Sequence, residues 1–113
     1  MNSMDVVRVL ARYRFSYTNE ISLQDQIEAV FKYNQIPYKR EHRLSDSDIV
    51  DFYIDGVAIE IKIKGHPVAV YQQCVRYGSH DSVKEVLLVS AKNFALPDVI
   101  GSKPAYVYFL SAL

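Results

Sequence analysis

Asp51, Glu60 and Lys62 are residues whose types and spacing could do chemistry together. Two carboxylates offer hard oxygen ligands of the kind that hold Mg²⁺, an ion that keeps several waters and takes one or two carboxylates from a protein. An amine beside such a pair can orient a water and help deprotonate it, or stabilise charge developing on a phosphate. The Ile61 carbonyl, between Glu60 and Lys62, offers one more oxygen.

These residues meet only if the chain folds back between them. Residues 49–54 and 57–64 are β-rich runs separated by Asp55-Gly56, the dipeptide preferred in a type I′ hairpin because both central positions need positive φ. With that loop, Ile54 pairs with Val57, and the pairing continues outward to set Asp51 opposite Glu60. Strand alternation then puts Val50, Phe52, Ile54, Val57, Ile59, Ile61 and Ile63 on one apolar face. Asp51, Tyr53, Ala58, Glu60 and Lys62 share the other. Like charges facing across paired strands repel, so stability alone does not select this pattern, and a divalent cation removes the objection. The alternative is a solvated face of an amphipathic hairpin, with Lys62 pairing Glu60. The flanking elements weigh against it, since they would bury the hairpin in the middle of its sheet.

Those elements are read from periodicity. Residues 4–14 carry Val6, Val7, Leu10 and Ala11 at helical spacing, and 20–34 carry Leu23, Ile27, Val30 and Phe31. Thr18 or Asn19 could cap the second helix, and Ser22 with Asp25 also reads as a capping box. Residues 38–44, after Pro37, read as an edge strand. Pro67 opens a third helix at its first position, with Gly78 just past its end and an apolar stripe of Val68, Tyr71 and Val75. Residues 86–90 and 105–110 are further strands. The whole is expected to be one α/β domain, residues 1–113, with a mixed sheet flanked by helices.

Composition sets the bounds. Half the 113 residues are hydrophobic and 23% are charged, as in a globular chain. No apolar run approaches bilayer-spanning length and no signal-peptide pattern opens the chain, so no membrane association is expected. The single cysteine, Cys74, excludes an internal disulfide and fits a reducing compartment, so a cytoplasmic location is expected. Thirteen acids balance thirteen bases, which argues against a basic coat protein for nucleic acid. The charge is nevertheless segregated: Asp46, Asp48, Asp51, Asp55 and Glu60 follow a stretch holding Lys32, Lys39, Arg40 and Arg43. His42, His66, Cys74 and His80 fit no usual zinc spacing.

The run Asp51 … Glu60-Ile61-Lys62 resembles the PD-(D/E)XK nuclease superfamily, with Val50 in place of the family's proline. Glu20 stands where many members carry a glutamate on the first core helix. Gln73-Cys74-Val75-Arg76-Tyr77 matches the Q-x-x-x-Y motif of RecB-type and related phage exonuclease domains. The resemblance covers roughly residues 20–110. It implies a restriction-endonuclease-like core of α-β-β-β-α-β-β order and metal-dependent hydrolysis of phosphodiester bonds in DNA. Mg²⁺ or Mn²⁺ would be held by Asp51, Glu60, the Ile61 carbonyl and Glu20, with Lys62 positioning the attacking water and Gln73 leaning over the site. A phage origin, hence a host cytoplasm, follows the family's habit.

The accessory residues have plainer readings too. Glu20 can be an ordinary acidic residue at a helix start, where the dipole favours it. Glu28, about 80° round the helix, is the reserve candidate. Gln73 and Tyr77 share a side one turn apart: a polar flank beside a packed tyrosine, or a support for the site with Tyr77 touching nucleic acid. Lys64, Lys39, Arg40 and Arg43 are candidate phosphate contacts or simply solvated cations. Cys74 reads as a small buried hydrophobe, and Tyr106 and Tyr108 as packing residues. So small a domain leaves substrate choice to DNA ends, DNA shape or a partner, and a homodimer would enlarge its footprint. Exonuclease and junction-cleaving readings both stay open. The competing readings are a nuclease-fold module that binds nucleic acid or protein without cleaving, and a plain α/β interaction domain.

Overall fold

Local chemistry sets the element boundaries. In a computed structural model, which describes residues 1–110, helix α1 (Ser3–Leu10) starts behind a capping box in which Asn2 and Asp5 exchange side-chain-to-backbone bonds. It ends earlier than its periodicity predicts, and the chain then turns to bury Phe15. Helix α2 (Glu20–Tyr33) is capped by Asn19, whose side chain accepts the Ser22 N–H at 2.8 Å. Strands β1 (Lys39–Arg43), β2 (Ile49–Ile54) and β3 (Val57–Lys62) follow. The β2–β3 turn is the expected one: Asp55 has φ +49° and Gly56 +87°.

Helix α3 (Pro67–Gly78) has its proline in the first turn, but Gly78 is still helical and Ser79 forms the cap. Strands β4 (Glu85–Ser90), β5 (Val99–Ile100) and β6 (Lys103–Phe109) complete the chain. β5, only two residues long, has no periodicity to betray it.

Six strands form one mixed sheet in the order β1-β2-β3-β4-β6-β5. β1, β2 and β3 are antiparallel neighbours, β3, β4 and β6 run parallel, and β5 is antiparallel on β6. β1 is the edge strand expected, and the hairpin lies inside the sheet. Helices cover both faces. Leu10, Leu23, Ile27 and Phe31 of α1 and α2 pack on Phe52, Ile54, Ile59, Ile61, Leu87 and Val89. Val70, Cys74 and Tyr77 of α3 pack on Val50, Ala58, Val86 and Leu88. β3 and β4 are therefore buried on both sides, as central parallel strands are. Among the described residues no helix is long and apolar enough to cross a membrane.

Two face assignments from the sequence are corrected. Val50 is buried, but on the α3 face rather than with Phe52 and Ile54. Alternation fails at Asp51, where the regular ladder to β3 stops at Phe52 and Ile59 and the facing Glu41 of β1 takes a left-handed φ of +51°. On α3 the stripe of Val68, Tyr71 and Val75 faces solvent, and Val70, Cys74 and Tyr77 are buried instead. Both stripes have helical spacing, and the sheet beneath selects the second.

Gly56 is held by conformation and by space: a Cβ there would lie 2.8 Å from Lys84 Cγ and 3.2 Å from Lys84 Cβ. Gly56→Ala is expected to cost about 1–2 kcal/mol. Thermal denaturation should show a melting temperature lowered by several degrees, and an unchanged one would deny the turn its role.

Candidate functional site

β3, an inner strand of the sheet, carries Glu60 and Lys62. Because its neighbours cover both faces and both edges, Glu60 is only 4% exposed. Lys62, one alternation further, lies at the strand's end and puts its Nζ 3.3 Å from Glu60 Oε2. Glu60 Oε1 is fully buried with no hydrogen-bond partner. A buried, partnerless carboxylate oxygen is costly and uncommon in folded proteins.

Asp51 reaches the same patch through the break in the β2–β3 ladder. Its Oδ2 accepts the Ile61 N–H at 2.8 Å, so a side chain takes the bond that strand pairing would have made. The carbonyl of a strand residue points to the same side as its N–H. The Ile61 carbonyl is thus turned toward β2 where the ladder has ended. The irregularity at Asp51 delivers a carboxylate and bares a backbone oxygen beside it.

Electrostatics reflect this crowding. Burial, then the neighbouring Asp51, push the Glu60 carboxyl up to about 8, against the opposing pull of Lys62. Asp51 is also raised, by burial first and with a contribution from Glu20, against the Ile61 N–H and Lys62. The ion pair with Lys62 does not offset the loss of water around Glu60, as expected of a buried pair with an unsatisfied lone pair.

Glu20 is the first residue of α2, and its Oε1 accepts the Ile63 N–H at 3.3 Å. It is thereby fixed at the end of β3, near enough to Asp51 to raise its pKa. Among the described residues no group of three or more His, Cys, Asp or Glu side chains is gathered as for a metal ion. The donor set here is two carboxylates and a backbone carbonyl, with Glu20 standing off on Ile63. Hard oxygen donors and an orphaned buried oxygen fit a divalent cation. Glu28, the reserve, is spent elsewhere: it accepts from Tyr38 Oη at 2.9 Å and pairs with Arg40 at 3.2 Å.

α3 supports the patch from below. Tyr77 is buried, donates to the Ile49 carbonyl at 3.0 Å, accepts from Gln73 Nε2 at 2.7 Å, and lies against Glu60. Burial and the two carboxylates hold its phenol well above the ordinary range. The residue therefore braces the start of β2 and is not placed to touch a substrate. Cys74, beneath Glu60, is pushed up to about 12 by burial and that carboxylate, which leaves it a thiol.

The candidate substrate cations separate. Lys64 is exposed beside Glu20, lining with Thr18, Asn19 and Ile63 an open cleft of about 350 Å³. Arg43 is exposed at the end of β1 with its guanidinium on the Asp46 carbonyl at 3.1 Å. Arg40 is turned away onto Asp25, Glu28 and Gln24. Sequence reasoning missed one cluster: buried Asp48 accepts from Arg76 Nε at 3.3 Å and meets His80 Nε2 at 2.8 Å. His80, then Arg76, hold its carboxyl below the usual range against burial. Partners 28 and 32 residues away leave no local signal.

No family model, curated protein or solved structure matches the chain.

A carboxyl raised from 4.5 to about 8 binds a proton in the folded state that the unfolded chain has released. Stability from this source is complete below pH 4.5 and is lost as pH rises through 8. In chelator, the protein is expected to unfold more readily at pH 8.5 than at pH 5.5. Glu60→Gln should flatten that difference and stabilise the protein at the higher pH by roughly 2–4 kcal/mol. Denaturant titrations at the two pH values would show no such loss from Glu60 if it were ionised throughout.

Proposed function

We propose that the chain is a metal-dependent DNA nuclease with a restriction-endonuclease-like core, hydrolysing phosphodiester bonds at the patch formed by Asp51, Glu60 and Lys62. The observation that carries this reading is the partnerless, buried Glu60 Oε1 on the central strand, beside a second raised carboxylate and an amine. Stability alone accounts poorly for such a group, whereas function does, since perturbed carboxyls gather at working sites.

Asp51, Glu60 and the Ile61 carbonyl would hold Mg²⁺ or Mn²⁺, with Glu20 in reserve behind Ile63. Bound there, the ion would supply Lewis-acid stabilisation to a phosphoryl oxygen and a lowered pKa to its water. Lys62 orients the attacking water and offsets charge developing on the phosphate. Asp51, pinned by the Ile61 N–H, keeps its position without help from strand pairing. Gln73 and Tyr77 fix the floor beneath Glu60, and Lys64 and Arg43 are the cations left free to meet flanking phosphates. The placement agrees with the general habit of open α/β sheets, whose ligands sit beyond the carboxyl ends of parallel strands.

Labelled linear, nicked, single-stranded and branched DNA, incubated with the protein in Mn²⁺, provides the test. Cleavage of at least one substrate is expected, stopped by chelator and reduced about 100-fold or more in Lys62→Ala. Mn²⁺ should raise the melting temperature of the wild type and of Lys62→Ala, but not that of Asp51→Asn. Equal cleavage by wild type and Lys62→Ala would mark a contaminant and remove the proposal.

A further inference from the structure

The two edges of the sheet are built differently. β1 presents Lys39, Arg40, Glu41, His42 and Arg43, and Glu41 bends it with a φ of +51°. Charges and a kink are the devices that keep an edge from accepting another strand. β6 has neither. From Ala105 to Leu110 it holds no charge, no proline and no left-handed residue.

Much of that strand is open. β4 pairs with β6 along Ala105–Phe109, and the Leu110 N–H continues onto the Ser90 carbonyl at 2.9 Å. On the other side β5 meets only Lys103 and Pro104, and the last bond is from the Ala105 N–H to the Asp98 carbonyl at 2.9 Å. Backbone groups alternate sides along a strand, so residues 106, 108 and 110 face β4, while 105, 107 and 109 face outward. Among the described residues β5 pairs no further than Pro104, and no turn or loop bond reaches the outward N–H and C=O groups of Val107 and Phe109. Phe109 is 51% exposed beside them.

We propose that this edge pairs with β6 of a second copy of the chain, antiparallel about a two-fold axis through Tyr108. That register places Val107 opposite Phe109 of the partner subunit, and Phe109 opposite the partner's Val107. Each such pair exchanges two N–H···O bonds, so four bonds use the outward groups of both protomers. Tyr108 meets its own copy as the non-hydrogen-bonded pair between them, with Cα atoms about 4.5 Å apart.

A second copy is a better occupant than a foreign peptide for two reasons. The open stretch from Ala105 to Phe109 is uncharged and the chain carries no net charge, so like meets like without repulsion. Three clefts that could read a peptide's side chains lie elsewhere, at Tyr38–Tyr53, Met1–Lys84 and Glu20–Lys64, and none of these three is lined by β6. The contact is small, so the dimer belongs to the transient class and exchanges with monomer as concentration changes. This inference stands apart from the proposed chemistry and does not require it.

Sedimentation velocity over a range of concentrations, with the full chain, is the first measurement. The wild type is expected to shift from monomer to dimer below about 1 mM. Phe109→Pro, which deletes an outward N–H, and Phe109→Lys, which keeps the backbone but adds charge, should both stay monomeric with an unchanged circular dichroism spectrum. The register is read by oxidising Tyr108→Cys, which should give a covalent dimer, against Tyr106→Cys, which should not. Cys74 is buried and leaves the background clean. A monomeric wild type, a dimer that persists in both Phe109 variants, or equal cross-linking at 106 and 108 would overturn the proposal.

Discussion

A carboxylate on the central strand of a six-stranded sheet constrains everything near it. Glu60 cannot be moved toward water, because β2 and β4 flank β3 and helices cover both faces. It cannot be fully paired either, since Lys62 reaches only one of its oxygens. Domains of this size are stable by only about 5–15 kcal/mol, so a group raised this far takes up a noticeable share. The surrounding residues divide between those that tolerate the charge and those that hold the backbone in place around it.

The backbone around it is held from both faces. Losing the regular ladder at Asp51 would loosen the start of β2. Asp48 and Ile49, just before the break, are gripped by Arg76 and Tyr77 from the last turn of α3 and by His80 just beyond its cap. On the other face Phe31, Tyr38 and Phe52 meet edge-on or tilted, with centroids 5.3–5.9 Å apart, a geometry favourable beyond the area it buries. A well-packed apolar layer and a polar clamp thus bracket the one stretch of strand that departs from regular pairing. That departure is also what exposes the Ile61 carbonyl.

How far the sequence carried depends on the range of each interaction. The turn and the pairing beside it, from Ile54 with Val57 to Phe52 with Ile59, were legible because Asp55-Gly56 determines them locally. Burial of Glu60 was legible at one remove, from the number of elements on either side. Val50 was not, because its face is decided by the broken pairing opposite Glu41, which no window around Val50 contains. On α3 two stripes, Val68/Tyr71/Val75 and Val70/Cys74/Tyr77, have equal claims by periodicity, and only the sheet beneath chooses. The choice between Glu20 and Glu28 turned on Arg40 and Tyr38, ten or more residues away from Glu28. The Asp48 cluster and the bare edge of β6 belong to tertiary structure altogether.

Zero net charge bears on the proposed chemistry. A neutral chain has no long-range field with which to gather a polyanion, and the distribution of charge must do that work locally. Without a counter-ion the patch presents Asp51 and Glu20 beside Glu60, which repels phosphate when ionised. Protonation of Glu60 lessens that repulsion but removes the ligand. Neutralising the patch with a cation keeps the ligands and admits the phosphate, so the two binding events favour one another by linkage. Lys62 alone cannot substitute, since its charge is already engaged with Glu60 at 3.3 Å. On the proposed reading, affinity for DNA therefore follows occupancy of the cation site more closely than it follows the surface lysines and arginines.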